Sequence, residues 1–258
     1  MPGESTLGRK YAWFPSLPDF RDFRYAETIP IIKKPPRVAY LINAPVQDQG
    51  GLGSCVFNAL TTAMENIEMS EHNQYPPTMY SRLFAYYNYR KSINAINEDT
   101  GADIRAAIKK VYDEGCCYAS TWPYDEKKWN VAPPAKCFEE AKEHKIIKYY
   151  NLRTLDEKIS CIASGYGFIF GFTVFSSFES DTVAKTGIVP MPQRNEDFLG
   201  GHAVYAVGYD LNKKMFKVQN SWSENWGQKG FFWMPFEYMT SQFLSMDFYT
   251  IRTITADD

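Results

Sequence analysis

The run Gln47-Asp48-Gln49-Gly50-Gly51-Leu52-Gly53-Ser54-Cys55-Val56-Phe57-Asn58-Ala59 decides how this chain is read. It leads from a glutamine through a glycine-rich turn into a cysteine and an apolar-periodic segment. Val56, Phe57, Leu60, Ala63, Met64 and Ile67 recur at helical spacing, so a helix is expected from a Ser54 cap to about Met69. Cys55 then occupies the first turn, where the helix dipole lowers a thiol pKa. Gly50, Gly51 and Gly53 permit a tight turn that brings main-chain groups close to a ligand. The backbone N–H of Cys55 and the Gln49 amide are expected to face one point, as the two donors of an oxyanion hole.

Two residues far downstream complete the constellation: His202 in GGHAVYAVGYD and Asn220 in QNSWSENWGQKGF. In a cysteine acyl-transfer enzyme the thiol attacks, an imidazole moves protons, one amide orients the imidazole, and another stabilises an oxyanion. Singly, each residue has a plainer reading: a buried helix cysteine, a core histidine, a turn asparagine. Together, in the order Gln, Cys, His, Asn, they point to catalysis. An imidazolium beside Cys55 is expected to lower the thiol further, and Trp222 to cover the Asn–His bond and exclude water. His72 and His144 stand in polar stretches and are read as surface residues.

Composition narrows the class. A chain of 258 residues with 45% hydrophobic and 16% aromatic residues can bury one large core or two moderate ones. A formal charge of −2 argues against nucleic acid as a partner. The start, MPGESTLGRKYAWF, lacks the apolar core of a signal peptide, and Gly165 to Phe175, the richest apolar stretch, reads as a buried strand. No membrane association is expected, and the location expected is cytoplasmic or otherwise intracellular. Of five cysteines, Cys116 and Cys117 are adjacent, a strained geometry for bridging, and no spacing suggests a zinc site. One special cysteine and four ordinary hydrophobes in a reducing compartment is the simplest account. Neither a metal nor a cofactor is expected.

Three segments are distinguished. Residues 1–38 are rich in proline and aromatics, which favours an extended segment docked on a surface. Residues 39–145 are mainly helical; further helices are expected from Pro77 to about Lys91 and from Asp103 to just before Gly115, followed by a turn-rich link over 120–138. Residues 146–258 carry short β-prone runs (KIIKYYNL, YGFIFGFTVF, HAVYAVGYDL, KMFKVQNSW, GFFWMPF, MDFYTIRTIT) interrupted by a helix near Leu155 to Ala163. Two packed lobes with a cleft between them follow naturally.

These residues resemble papain-like cysteine peptidases over roughly 39–255. PVQDQGGLGSC is similar to the family's glutamine-to-cysteine segment, NEDTGADIRAAI to the stretch with its substrate-binding glycine, STWPYDE to its aromatic turn, and GGHAVYAVGYD and NSWSENWGQKGFFWM to its histidine and asparagine segments. The resemblance implies an α+β, papain-like two-lobe fold with a helical lobe, a β-barrel-like lobe and the active site in the interlobe cleft. It implies Gln49 as oxyanion donor, Cys55 as nucleophile, His202 as acid/base and Asn220 as orienter. Gly53, Gly101, Gly201 and Trp222 are the expected substrate-binding residues, with Trp226 beside Trp222. The floor of the second subsite is expected from the last strand, Asp247 to Ile251.

Departures place the chain in a divergent branch of the kind seen in bacteria, archaea and large DNA viruses. Leu52 stands where the family has a cysteine, and Val56 where it has a tryptophan. Residues 122–143 contain no histidine, which argues against the family's carboxypeptidase branch. The expected activity is endopeptidase cleavage through a thiolate–imidazolium pair and an acyl-enzyme, acting on protein or peptide substrates as a monomer. Alternatives are an isopeptidase or deubiquitinase, an acyl transferase, or a non-catalytic binding protein on the same scaffold. Residues 1–38 are either a strap bracing both lobes or a short pro-segment that makes the chain a zymogen.

Overall fold

A computed structural model describes residues 5–253. In chain order its elements are α1 (Tyr25–Thr28), β1 (Val38–Tyr40), α2 (Cys55–His72), α3 (Arg82–Ser92), α4 (Ile104–Glu114), α5 (Ala135–Ala141), β2 (Lys148–Asn151), α6 (Leu155–Ala163), β3 (Phe168–Phe175), α7 (Asp181–Thr186), β4 (Phe198–Asp210), β5 (Met215–Gln219), β6 (Phe231–Pro235), α8 (Phe236–Thr240) and β7 (Ser245–Thr253).

Side-chain chemistry sets the helix limits. Asp103 accepts the Ala106 N–H at the start of α4, and Gly115, at φ 77°, ends it. Thr154 and Glu157 form a reciprocal capping box on α6. Helix α3 starts five residues later than Pro77, because Ser81, accepting the Phe84 N–H, supplies the cap. Ser54 does not cap α2. Its hydroxyl shares a 2.8 Å hydrogen bond with Tyr124 and accepts one from Asn58, so it ties the helix start to the aromatic turn instead. The expected link over 120–138 contains the start of α5.

The strands form one antiparallel sheet in the order β2-β7-β3-β4-β5-β6, with β1 also paired to β4. It is an open sheet with β2 and β6 at its edges, which corrects the expected barrel-like lobe. β1 belongs to this sheet although it lies beside the helical segment in sequence. Alternation along the central strands divides the interior. Ile169, Ala203, Tyr205 and Val207 face α2, α3 and α4, while Phe168, Phe170, Val204 and Ala206 pack with Phe216, Phe232 and Tyr238 on the other side. The helical lobe therefore shares its core with one face of the sheet.

Helix α2 is buried on every side from Cys55 to Met69, Asn58, Thr61, Glu65 and Asn66 included. A central helix with a polar rear face needs internal partners. Glu65 finds them in the Gln47 amide and the Tyr80 N–H, and burial still pushes its carboxyl up to about 8. His144 is not a free surface residue: its ring lies 4.3 Å from that of Tyr118, and burial lowers its pKa. The side chain of His72 lies outside the described residues.

Candidate active site

Three parts of the chain converge on Cys55: helix α2, strand β4 and the N-terminal segment. The sulfur is fully buried in the first turn of α2, and the main-chain N–H groups of Ala203, on β4, and of Ala12, in the N-terminal segment, point at it. Strand β4 thus brings the residue next to His202 against the thiol. His202 Nε2 bonds Asn220 Oδ1 at 2.8 Å, and Oδ1 also accepts the Ser221 N–H at 2.9 Å. That contact fixes the ring and leaves Nδ1 as a buried nitrogen without a partner. The Trp222 ring stacks on the imidazole at 5.2 Å and 29°, and Trp226 meets Trp222 edge-on at 5.0 Å.

Gln49 is fully buried and doubly held. Its Nε2 donates to the Leu52 carbonyl at 3.0 Å, and its Oε1 accepts the Ser221 hydroxyl at 2.8 Å. The Tyr124 hydroxyl donates to the Gln49 carbonyl at 2.7 Å, so the Ser54 hydroxyl must be the donor toward Tyr124. The segment of the glutamine is thereby locked to the start of the nucleophile's helix.

Burial works against the expected thiolate–imidazolium pair in this conformation. Burial pushes the Cys55 thiol up to about 11, outweighing the surrounding N–H groups, and pushes the His202 imidazole down to about 4. Burial thus favours the uncharged form of each group in the closed groove. The physical reason is residues 5–16, which fill the groove and exclude water from it.

Trp13 donates its N–H to Gly201 O at 2.9 Å, Ala102 donates to Ala12 O at 3.0 Å, and Phe14 donates to Ala102 O at 3.4 Å. The Tyr11 ring lies 6.1 Å from both His202 and Trp222. Gly101 takes φ 72°, and a Cβ there would sit 1.8 Å from Ala12 O, so this close approach requires glycine. The Gly53 N–H is held by Asp99, and its Cα faces the Ala12 side chain. Gly53, Gly101, Gly201 and Trp222 thus all meet the N-terminal segment.

Four carboxylates hold that segment down, and of these the sequence singled out only Asp247, as part of the expected second-subsite floor. Glu179 accepts bonds from the Ser5 hydroxyl, the Thr6 N–H at 2.8 Å, the Thr6 hydroxyl at 2.7 Å and the Tyr11 hydroxyl. Arg9 pairs with Asp48 and Lys10 with Asp99. Asp247 takes the Trp13 indole N–H at 3.3 Å and the Ser16 N–H at 2.7 Å. Not every aromatic is docked as expected: Phe20 and Phe23 are 91% and 62% exposed where the chain leaves the groove, and Leu17 beside them is 81% exposed.

All five cysteines are free and buried, and no helix among the described residues is long and apolar enough to cross a membrane. The pattern for papain family cysteine proteases matches residues 37–249. An uncharacterized peptidase C1-like protein of Acanthamoeba polyphaga mimivirus is 40% identical over 97% of this chain and 89% of its own length. Bovine pro-cathepsin H is 26% identical over 73% of this chain and 55% of its own length. Xylellain, a cysteine protease from Xylella fastidiosa, superposes with a TM-score of 0.87 at 34% identity over 98% of both chains.

Proposed function

The chain belongs to the papain family of cysteine proteases, and we propose that it is an endopeptidase held shut by its own residues 5–16. One observation carries the second half of this reading. Ala12 presents its N–H to the Cys55 sulfur, while its carbonyl is turned away to the Ala102 N–H. A main chain held this way fills the groove while the Ala12 carbonyl is drawn away from the sulfur, so that carbonyl is not presented for attack.

Displacement of residues 5–16 readmits water to the groove and opens it around Nδ1 of His202. The Cys55 proton then passes to Nδ1, and the thiolate attacks the carbonyl carbon of a bound peptide. The Cys55 N–H and the second Gln49 amide N–H receive the oxyanion. His202 gives its proton to the leaving amine as the C–N bond breaks, forming the acyl-enzyme. A water molecule, losing a proton to His202, attacks the acyl carbon; the thiolate leaves and the acid product forms. Asn220, through its bond to Nε2, keeps Nδ1 aimed at this sequence of transfers.

The N-terminal segment divides between lid and brace. Residues 5–16 occupy the groove, whereas Tyr25 is fully buried and β1 is built into the sheet. Five free thiols support a reducing compartment, and the groove suits a protein or peptide substrate taken by a single chain.

Hydrolysis of a fluorogenic dipeptidyl substrate, with Cys55→Ala as control, tests the activity. The variant should keep its unfolding temperature and lose turnover; Cys55-independent hydrolysis refutes the assignment. A ubiquitin-based suicide probe that reacts while the dipeptide does not would favour an isopeptidase.

A further inference from the structure

The three glycines of the turn before the nucleophile each donate their N–H to a carboxylate: Gly50 to Asp48 at 2.9 Å, Gly51 to Glu126 at 2.7 Å, and Gly53 to both oxygens of Asp99 at 3.0 and 3.1 Å. The last contact reaches furthest. The Leu52 carbonyl and the Gly53 N–H belong to one planar peptide unit. Its carbonyl accepts Gln49 Nε2 at 3.0 Å and its N–H donates to Asp99, so the proposed oxyanion donor and the carboxylate grip one plane from opposite ends. Gly53 carries no side chain to stop that plane from rotating. Asp99 is itself held. Tyr86, fully buried on α3, donates its hydroxyl to Asp99 Oδ1 at 2.5 Å and accepts the Gly101 N–H at 3.1 Å. The Arg90 guanidinium lies 4.3 Å over the Tyr86 ring and donates to the Ile96 carbonyl at 2.7 Å, which fixes the loop leading to Asp99.

We propose that Asp99 is a positioning residue for the oxyanion hole, acting on Gln49 through the Leu52–Gly53 peptide unit. The proposal rests on the peptidase reading and adds a residue to its machinery. A charged acceptor strengthens the bond from the Gly53 N–H, and a peptide unit polarised at its N–H is a better acceptor at its carbonyl. The Gln49 amide has two N–H bonds. One is spent on the Leu52 carbonyl, which sets the amide plane and with it the direction of the second. Without Asp99 the peptide unit turns about Gly53 and the Leu52 carbonyl leaves Gln49. Only the Ser221 hydroxyl then orients the amide, and the donor is no longer preorganised. Lys10 Nζ also lies 2.6 Å from Asp99 Oδ2, but that contact leaves with residues 5–16, whereas the bonds from Gly53 and Tyr86 lie within the body of the protein.

Hydrolysis of a fluorogenic dipeptidyl substrate by the full chain separates the two kinds of bond. Contacts of residues 5–16 compete with substrate and enter the apparent KM, whereas a misplaced oxyanion donor lowers kcat. Asp99→Ala should lower kcat roughly 10- to 100-fold, less than removal of an oxyanion donor outright. Asp99→Asn, whose remaining carbonyl oxygen still accepts from Gly53 and Tyr86, should recover kcat to within about threefold of the parent. Lys10→Ala should shift the apparent KM alone. The decisive arm is a cycle with Gln49→Ala: in that background Asp99→Ala should lower kcat by less than about threefold more, because the group it positions is gone. Asp99→Ser, one bond shorter, takes the place of Asp99→Ala where the alanine variant does not fold. A fully additive loss beside Gln49→Ala, an Asp99→Asn variant as impaired as Asp99→Ala, or a kcat indifferent to Asp99 overturns the proposal and leaves the peptidase reading standing. A parent chain without Cys55-dependent hydrolysis refutes the peptidase reading itself, and the positioning role with it.

Discussion

Glu179→Gln tests whether residues 5–16 are a lid. The carboxylate is 9% exposed and accepts four hydrogen bonds, two at each oxygen: Ser5 and Tyr11 hydroxyls at one, the Thr6 N–H and hydroxyl at the other. A carboxamide keeps one acceptor and turns the other into a donor. Two bonds are lost, and two donors then face a third. At about 1–1.5 kcal/mol for each bond, the closed state weakens by about 2–3 kcal/mol, which raises the open population roughly 30- to 150-fold. The readout is the rate of Cys55 alkylation by iodoacetamide at neutral pH, located by mass spectrometry. The four other thiols are buried in the body of the protein and serve as internal controls. Cys55 labelling should accelerate within that range and hydrolysis should rise with it, while the unfolding temperature stays near the parent's. Labelling within twofold of the parent, together with a fall in unfolding temperature, would mean that Glu179 braces the fold and residues 5–16 are no lid.

Three more expectations follow from the same geometry. The closed state should open at both ends of the pH range. Closure lowers His202 from an ordinary 6.5 to about 4, so protonation in the open state favours release by roughly a few hundredfold as pH falls through that interval. Glu179 and Asp48 act in the same sense, because hydrogen bonds depress both and their hold is lost as pH falls below the usual carboxylate range; Asp247, raised by burial, opposes them. Closure raises Cys55 from 9 to about 11, so release is favoured again above pH 9. Exchange of the Trp13 amide hydrogen, corrected for its intrinsic rate, should be slowest between about pH 6.5 and 9; a flat profile contradicts the linkage. Asn220→Ala removes the bond to His202 Nε2 and should lower kcat by roughly 5- to 150-fold with little change in unfolding temperature, measured in the Glu179→Gln background. Glu65, raised to about 8 by burial, favours its neutral form in the folded state, so its contribution to stability is lost as pH rises from about 4.5 through 8. Glu65→Gln should flatten the decline of unfolding temperature over that range, and an unchanged slope would show that another group titrates.

Much of this was legible because local chemistry and global fold agree. Asp103 and Gly115 bracket α4 as their cap preferences dictate, and all six β-prone runs became strands. Cys55, His202 and Asn220 were visible through their spacing and residue types, and the structure gathers them around one groove. What stayed hidden depends on partners distant in sequence. Glu179 and Asp99 look like ordinary surface acids until Thr6, Tyr11 and Lys10 are folded against them. Pro77 resembles a helix start, but Ser81 makes the cap. The pressure of burial on the thiol and imidazole was equally unreadable, because it arises from exclusion of water by a segment whose position no local pattern reveals.

The tether between lid and body sets how the enzyme would be switched. Past the exposed turn at Leu17 and Phe20, the chain re-enters the protein at Tyr25 and is stitched into the sheet by β1, with the Tyr209 hydroxyl bonding Pro36 O at 2.9 Å. A lid that swings out therefore remains on a short leash, at an effective concentration on the order of millimolar. Opening by acid alone is self-erasing once the pH returns. A single cut in the exposed turn would change the arithmetic: the severed segment would dilute away, and a rapid equilibrium would become a one-way commitment.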